Sequence, residues 1–136
     1  MTKVLFLSFF LCAVIGCRNS PSNTATKIVA DIILPAPLEP FEVYDERLPN
    51  GDGLLIHRYH VDSDLYKDIE IQLNKANASK LPFQANLGID DYIFDYVSKN
   101  DKGLYLLTYD PDYEGGSILV VLNFTKMELT ILMSYI

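Results

Sequence analysis

Hydrophobic and polar positions follow three different patterns along the chain. Residues 4–16 are almost entirely apolar, residues 18–26 (RNSPSNTAT) show no apolar periodicity, and from Phe41 onward short apolar stretches alternate with turn residues. Alternation at a period of two predicts strands, because successive strand side chains point to opposite faces. We therefore expect one folded domain over residues 41–136, preceded over residues 17–40 by a tether and a Pro-rich extended segment.

The first part of this domain predicts a β-hairpin followed by a single helix. Two strand-like stretches flank the PNGDG sequence at residues 49–53, whose residue types favour a turn. Apolar residues then recur at spacings of four, four and three, as on one face of a helix: Leu65, Ile69, Leu73 and Ala76. Three residues are placed to cap its start: Asp62, Ser63 and Asp64.

The second part of the domain predicts four consecutive strands with short connections. Their approximate ranges are 91–99, 103–109, 117–124 and 127–136, and Gly103 suits a hairpin with a glycine bulge. The expected fold class is therefore α+β. We expect a single small domain with an N-terminal β-hairpin, one amphipathic helix and a four-stranded antiparallel meander.

The same period of two assigns one face of the meander to a core beneath the helix. The side chains expected on this face are those of Tyr92, Phe94, Tyr96, Leu104, Leu106, Ile118, Val120, Leu122, Phe124, Met127, Leu129, Ile131, Met133 and Tyr135.

The opposite face is less polar than contact with water would favour. It would carry Asp95 among the apolar or aromatic residues Ile93, Val97, Tyr105, Leu107, Tyr109, Leu119, Val121 and Leu132. Two explanations stay open at this stage. Either residues 28–34 or the first hairpin cover this face as a second core layer, or the face is an exposed Tyr-rich patch that binds a partner.

The apolar run near the start has the pattern of a secretory signal. Lys3 precedes it, and thirteen helical residues span roughly 20 Å, less than the ~30 Å core of a bilayer. The run ends in Val14-Ile15-Gly16-Cys17. This sequence resembles the lipobox of bacterial lipoprotein signal peptides, in which a small residue precedes a cysteine that receives diacylglycerol.

The resemblance implies removal of residues 1–16 as a signal peptide and lipidation of Cys17. Apart from the N-acyl and S-diacylglycerol groups on Cys17, no cofactor is expected. Several acyl chains would anchor the chain firmly in a membrane. Because Arg18 rather than Asp follows the cysteine, the resemblance implies the outer membrane, facing the periplasm. It covers only the first 17 residues, and the domain resembles no family that would identify it.

Charge and composition narrow the classes of partner. The chain has a net charge of −7 at pH 7, which argues against nucleic acid because phosphate binding requires a cationic face. A hydrophobic content of 49 % rules out general disorder. The acidity is explained either by good solvation of the domain or by electrostatic steering of a basic partner.

Candidate chemistry along the chain is weak. In DPDYEGG, residues 110–116, carboxylates alternate as in a calcium loop, but Val121 stands where the bidentate Glu belongs, which favours a solvated loop. His57 and His60 would lie on opposite faces of a strand and cannot share a metal. No nucleophile elbow or phosphate-binding loop is present. We therefore expect no metal site and no enzymatic activity.

The sequence leads to three functional hypotheses. The first is a membrane-anchored, non-catalytic binding protein, in its most concrete form an inhibitor or immunity-type lipoprotein that blocks a basic toxin or hydrolase of the envelope. The second is an accessory structural lipoprotein of an envelope assembly, and the third is a small hydrolase that uses carboxylates. Within the first hypothesis, the expected partner-binding residues are Tyr105, Tyr109, Asp110, Asp112 and Glu114.

Overall fold

The structure is a computed structural model that describes residues 27–35, 38–84, 91–110 and 115–135. They form one small α+β domain with one α-helix and an antiparallel six-stranded sheet. Its elements are Lys27–Val29 (β1), Ile32–Leu34 (β2), Glu42–Arg47 (β3), Gly53–His60 (β4), Ser63–Lys75 (α1), Ser79–Lys80 (β5), a 3₁₀ helix at Asp91–Asp95, Gly103–Tyr109 (β6), Ser117–Asn123 (β7) and Glu128–Tyr135 (β8).

The strand arrangement differs from the predicted hairpin plus four-stranded meander. Six of the eight described strands share one sheet in the order β3-β4-β8-β7-β6-β5, so β4 pairs with β8. The prediction of a strand over residues 91–99 is wrong, because residues 91–95 form the 3₁₀ helix. The neighbour of β6 on that side is instead the two-residue strand β5. A small separate sheet pairs β1 with β2.

One face of the sheet packs beneath α1, largely as the alternation predicted. Its buried sheet residues are Tyr59, Leu104, Ile118, Val120, Leu122, Leu129 and Ile131. Ile32 and Leu34 of β2 join the same cluster at 1 % exposure, so the core includes residues ahead of Phe41. Phe124, which the alternation also assigned to this core, is 57 % exposed.

The single helix confirms the amphipathic pattern of its sequence. Ile69 and Leu73 are fully buried. Asp62 is the N-cap, and its Oδ1 accepts hydrogen bonds from the backbone N–H groups of Asp64 at 3.1 Å and Leu65 at 2.8 Å. Within the described ranges, no helix has the length and apolar character needed to cross a membrane.

The opposite face of the sheet is covered by the segment that contains the 3₁₀ helix. Ile93 and Val97 from this segment are 0 % and 4 % exposed, and they pack with six sheet residues: Leu54, Ile56, Tyr105, Leu119, Val121 and Leu132. The expectation that residues 28–34 or the first hairpin cover this face is therefore wrong, since β2 packs on the helix side.

The aromatic residues expected in the core from this segment take other positions. Tyr92 and Phe94 are exposed, and Tyr96 packs against the second cluster rather than beneath the helix. In a 3₁₀ helix, successive side chains are rotated by about 120°, so burial of Ile93 turns its neighbours Tyr92 and Phe94 toward solvent.

A half-buried cation, the guanidinium of Arg58, attaches this covering segment to the sheet. The Arg58 guanidinium donates hydrogen bonds to Glu42 and to Glu128, the latter at 2.7 Å. It also lies over the rings of Phe41 at 4.9 Å and Tyr96 at 4.7 Å. Arg58 therefore connects β3, β4, β8 and the residue that follows the 3₁₀ helix.

Asp101 makes a second attachment at the end of the covering segment. Its Oδ2 accepts hydrogen bonds from the Ser98 backbone N–H at 2.9 Å and Asn123 Nδ2 at 2.7 Å, and Lys126 Nζ lies 3.5 Å away. Burial disfavours the charged form, but these donors and the Lys126 ammonium outweigh it, so the pKa of Asp101 lies below its usual range.

We expect Asp101→Asn to lower the free energy of unfolding by about 2 kcal/mol at neutral pH, because an amide cannot replace the charged acceptor. A depressed pKa stabilises the folded state above the ordinary Asp pKa of about 3.9, and this stabilisation is lost as the pH falls through the folded value. Urea denaturation of the native chain and of Asp101→Asn between pH 7 and pH 3 should therefore show a difference in the free energy of unfolding that shrinks below about pH 4. Asp95→Asn, at an exposed position, is the control. A loss of stability in Asp101→Asn that does not depend on pH, or that equals the loss in Asp95→Asn, would contradict this account.

Candidate functional site

One end of the sheet brings tyrosine, serine and carboxylate side chains into a single cross-strand row. The register places Tyr109 opposite Ser117, Ser117 opposite Ser134, Ser134 opposite Leu54, and Leu54 opposite Glu46. Directly paired residues share a face, so all five lie on the face covered by the 3₁₀ helix. Four steps of ~4.8 Å make the row roughly 19 Å wide.

A groove opens at the β3 side of this row. It has a volume of about 380 Å³ and is lined by Glu46, Leu48, Asp52, Gly53, Leu54, Tyr92, Ser134 and Tyr135. We call it the acidic groove, because its lining contains two carboxylates and no basic residue. Asp91 and Asp95 are exposed in the same 3₁₀ helix as Tyr92 and add negative charge beside it.

Tyr92 lines this groove, and the ring of Tyr44 stacks beside that of Tyr92. Tyr44 and Tyr92 have ring centroids 6.3 Å apart at an interplanar angle of 30°. The Tyr44 hydroxyl donates a 2.5 Å hydrogen bond to Glu46 Oε2. This hydrogen bond, with smaller contributions from desolvation and the Glu46 charge, raises the pKa of Tyr44 to about 12. The phenol of Tyr44 therefore stays neutral at physiological pH.

The β3–β4 turn fixes the position of Asp52 at the edge of the groove. Asn50 Nδ2 donates to Asp52 Oδ2 at 2.5 Å, and the Asp52 backbone N–H donates back to Asn50 Oδ1 at 3.2 Å. The Leu48 backbone N–H donates to the Asp52 carbonyl at 2.8 Å. Gly51 has a φ of +96°, a left-handed conformation that glycine adopts without steric cost.

The five partner-binding residues expected from the sequence have different locations. Tyr105 is 2 % exposed, its ring packs edge-on against Phe83 at 5.0 Å, and its hydroxyl accepts a hydrogen bond from the Gln84 backbone N–H at 3.3 Å. Tyr109 is 82 % exposed at the end of the row, and half-buried Asp110 follows it. Asp112 and Glu114 lie outside the described residues, as does Cys17.

The two histidines lie as the strand alternation predicted. His60 stacks on Phe41 with ring centroids 3.9 Å apart, whereas His57 Nδ1 lies 3.2 Å from the hydroxyl of Tyr59, on the helix side of the sheet. Over the residues that the structure describes, no three His, Cys, Asp or Glu side chains are grouped so that they could hold a metal ion.

The acidic groove was not predicted from the sequence, although the sequence pattern of β3 indicates part of it. Tyr44 and Glu46 alternate with Val43 and Asp45 in β3, which a period of two assigns to one face. No sequence pattern indicates that Tyr92 lines the groove, because its position depends on residues 91–95 forming a 3₁₀ helix that crosses the sheet.

Comparisons with protein-family models, with curated proteins and with solved structures give no significant match to this chain.

We expect Glu46→Gln to lower the pKa of the Tyr44 phenol from about 12 toward its ordinary value of 10. The substitution removes the charged acceptor that stabilises the protonated phenol. Titration followed at the ¹³Cζ resonance of Tyr44 measures this shift directly. Glu39→Gln is the matched control and should leave the titration of Tyr44 unchanged. An unaltered Tyr44 pKa in the Glu46→Gln chain would show that the hydrogen bond does not form.

Proposed function

We propose that this chain is a lipid-anchored, non-catalytic binding protein of the cell envelope that inhibits a basic toxin or hydrolase. The observation that supports the proposal is the acidic groove, in which Glu46 and Asp52 lie beside Tyr92, at one end of the cross-strand row whose other end is the exposed Tyr109. Tyrosine supplies contact area at low entropic cost, and carboxylates on the rim steer a basic partner toward it.

The charges of Glu46 and Asp52 are available to a partner, unlike those of the other acids of β3 and of Glu128 in β8. Glu42 and Glu128 are already paired with Arg58. Asp45 pairs with Arg47, and both lie on the other face of β3. Glu46 accepts a hydrogen bond from a neutral phenol and Asp52 from a neutral amide, so their negative charges are not compensated by these contacts.

In this proposal the binding surface includes Tyr44, Tyr92 and Tyr109 with Glu46 and Asp52, and extends to Asp110. Asp112 and Glu114 follow Asp110 in the sequence and remain part of the proposed surface. Tyr105 supports the surface from beneath, because its ring is buried in the core. The proposed location is the outer membrane, facing the periplasm, with Cys17 carrying the lipid.

We expect the double substitution Glu46→Gln and Asp52→Asn to slow association with a basic partner about tenfold at low ionic strength. The tagged full chain, extracted from envelopes in neutral detergent, is used to isolate the partner, and association is then followed on a biosensor. The effect should largely disappear at 0.5 M salt, because screening removes steering.

The matched control for this experiment replaces two exposed acids away from the groove, Asp31→Asn and Glu39→Gln. It removes the same net charge and should change association by less than about twofold. If both double variants associate at the native rate in low salt, the acidic groove does not steer the partner. If the isolated partner is an enzyme whose activity the native chain leaves unchanged, the inhibitor function is wrong.

We expect Cys17→Ser to abolish incorporation of labelled palmitate and to release the chain from the membrane fraction, because only a thiol accepts the diacylglycerol. Cys12→Ser is the matched control, since Cys12 belongs to the segment expected to be removed. Metabolic labelling followed by fractionation measures both effects. Labelling that persists in Cys17→Ser, or that is lost only in Cys12→Ser, would contradict the assignment of the anchor.

A further inference from the structure

A second groove lies at the other end and on the other face of the sheet. It has a volume of about 390 Å³ between the start of α1, the β5–β6 pair and the β7–β8 turn. Its lining residues are Ser63, Tyr66, Lys67, Glu70, Lys80, Lys102, Gly103, Leu104, Phe124 and Met127. We call it the lysine groove, because three lysines and only one acid line it in a chain whose net charge is −7.

The three lysines of this groove carry charges that the fold itself does not use. Arg47, Arg58 and Lys126 each form an ion pair with a carboxylate. Within the described part of the chain, Lys67, Lys80 and Lys102 form none, although Glu70 lines the same groove. Like charges repel one another, so their grouping around one cavity raises the local potential and favours an anion there.

The backbone holds two of these lysines in fixed positions at the groove. Lys80 pairs with Leu104 in the β5–β6 ladder, and the Leu81 backbone N–H donates to the Gly103 carbonyl at 3.0 Å. The Lys102 backbone N–H donates to Thr125 Oγ1 at 2.9 Å, and its carbonyl accepts from the Phe124 N–H at 2.7 Å. The cavity is therefore built on strands and a tight turn.

The remaining lining of the lysine groove is largely apolar. Tyr66 and Phe124 meet edge to face at 5.4 Å, and Leu104 and Met127 contribute aliphatic surface. Phe124 is 57 % exposed in the free chain, which leaves most of its ring available to a ligand. Small-molecule sites typically combine such an apolar lining with a few charged groups that fix orientation.

We propose that the lysine groove binds a small amphiphilic anion, a phosphate or carboxylate attached to an aromatic or short acyl group. The ammonium groups of Lys67, Lys80 and Lys102 take the anionic head, and the apolar body packs against Phe124 and Met127. Free soluble anions and the headgroups of anionic lipids share this chemistry. The site is separate from the acidic groove, so it does not depend on the function proposed above.

Methionine labelling provides a direct probe of this cavity. The full chain is prepared with ¹³C-methyl methionine in neutral detergent and titrated with phenyl phosphate. Met127 lines the groove, whereas Met133 packs against the core below the helix and serves as an internal reference. We expect saturable shifts of the Met127 methyl resonance, while that of Met133 stays unchanged. Inorganic phosphate and phenyl glucoside, which supply only the head or only the ring, should bind at least tenfold more weakly.

A charge-matched pair of variants tests the role of the lysines. The double variant Lys67→Gln/Lys102→Gln should bind phenyl phosphate about tenfold more weakly than the native chain. Lys75→Gln with Lys99→Gln removes the same charge from exposed positions outside the groove and should change binding by less than about twofold. Phe124→Gln should lower the affinity for phenyl phosphate but leave the affinity for inorganic phosphate unchanged.

Nanodiscs distinguish the two sources of the anion. If the Met127 methyl resonance shifts in phosphatidylglycerol nanodiscs but not in phosphatidylcholine nanodiscs, the anion is a lipid headgroup. If it shifts in neither nanodisc, the anion is a soluble amphiphile. The proposal is overturned if both double lysine variants bind phenyl phosphate equally. It is also overturned if phenyl glucoside or inorganic phosphate binds as tightly as phenyl phosphate, or if the Met127 methyl resonance does not respond to phenyl phosphate.

Discussion

The structure depends on burial of the central strands on both faces. In β7, the six residues from Ile118 to Asn123 are all at most 7 % exposed, and in β8 the residues from Leu129 to Leu132 are at most 3 % exposed. Strands of this composition require an apolar layer on each side. The helix with β2 supplies one layer, and the short segment around Ile93 and Val97 supplies the other.

This arrangement determines where binding surfaces can form. Because both broad faces are largely covered, the two grooves lie at opposite ends of the sheet. Tyr109, Glu46 and Asp52 lie at one end, and Lys67, Lys80 and Lys102, which form no ion pair with any residue that the structure describes, line the groove at the other end. The chain is acidic overall, and because the two grooves share no lining residue, the two proposed sites can be occupied independently.

Much of the fold followed from the sequence, because its alternation and helical spacing are local properties. The helix and most inward positions of β6, β7 and β8 were predicted correctly, and Asp62, one of three candidate caps, is the N-cap. Residues 91–99 were not, because their apolar positions satisfy two periodicities. Tyr92, Phe94 and Tyr96 fit a strand, whereas Ile93 and Val97 at a spacing of four fit a helical turn. The helical turn forms because it lets Ile93 and Val97 cover the second face of the sheet.

The candidate sites were less predictable, because they combine residues that are distant in the sequence. Glu46 and Tyr92 meet only once the 3₁₀ helix crosses the sheet, and Lys67 approaches Lys102 only through the packing of α1 on β6. By contrast, the expected surface at Tyr109 and Asp110 was a local inference from one loop. Its position at the same end of the sheet as the acidic groove follows from the register of four strand pairs.

The most direct test is to measure how residues 91–99 contact the sheet. In a methyl-labelled sample, we predict nuclear Overhauser effects between the methyl groups of Ile93 and those of Leu119, Val121 or Leu132, with no ladder of cross-strand backbone contacts from residues 91–99 to β6. A regular backbone ladder between residues 91–99 and β6, without the Ile93 methyl contacts, would contradict the account. It would show that the second face is not covered in this way and would remove Tyr92 from the acidic groove.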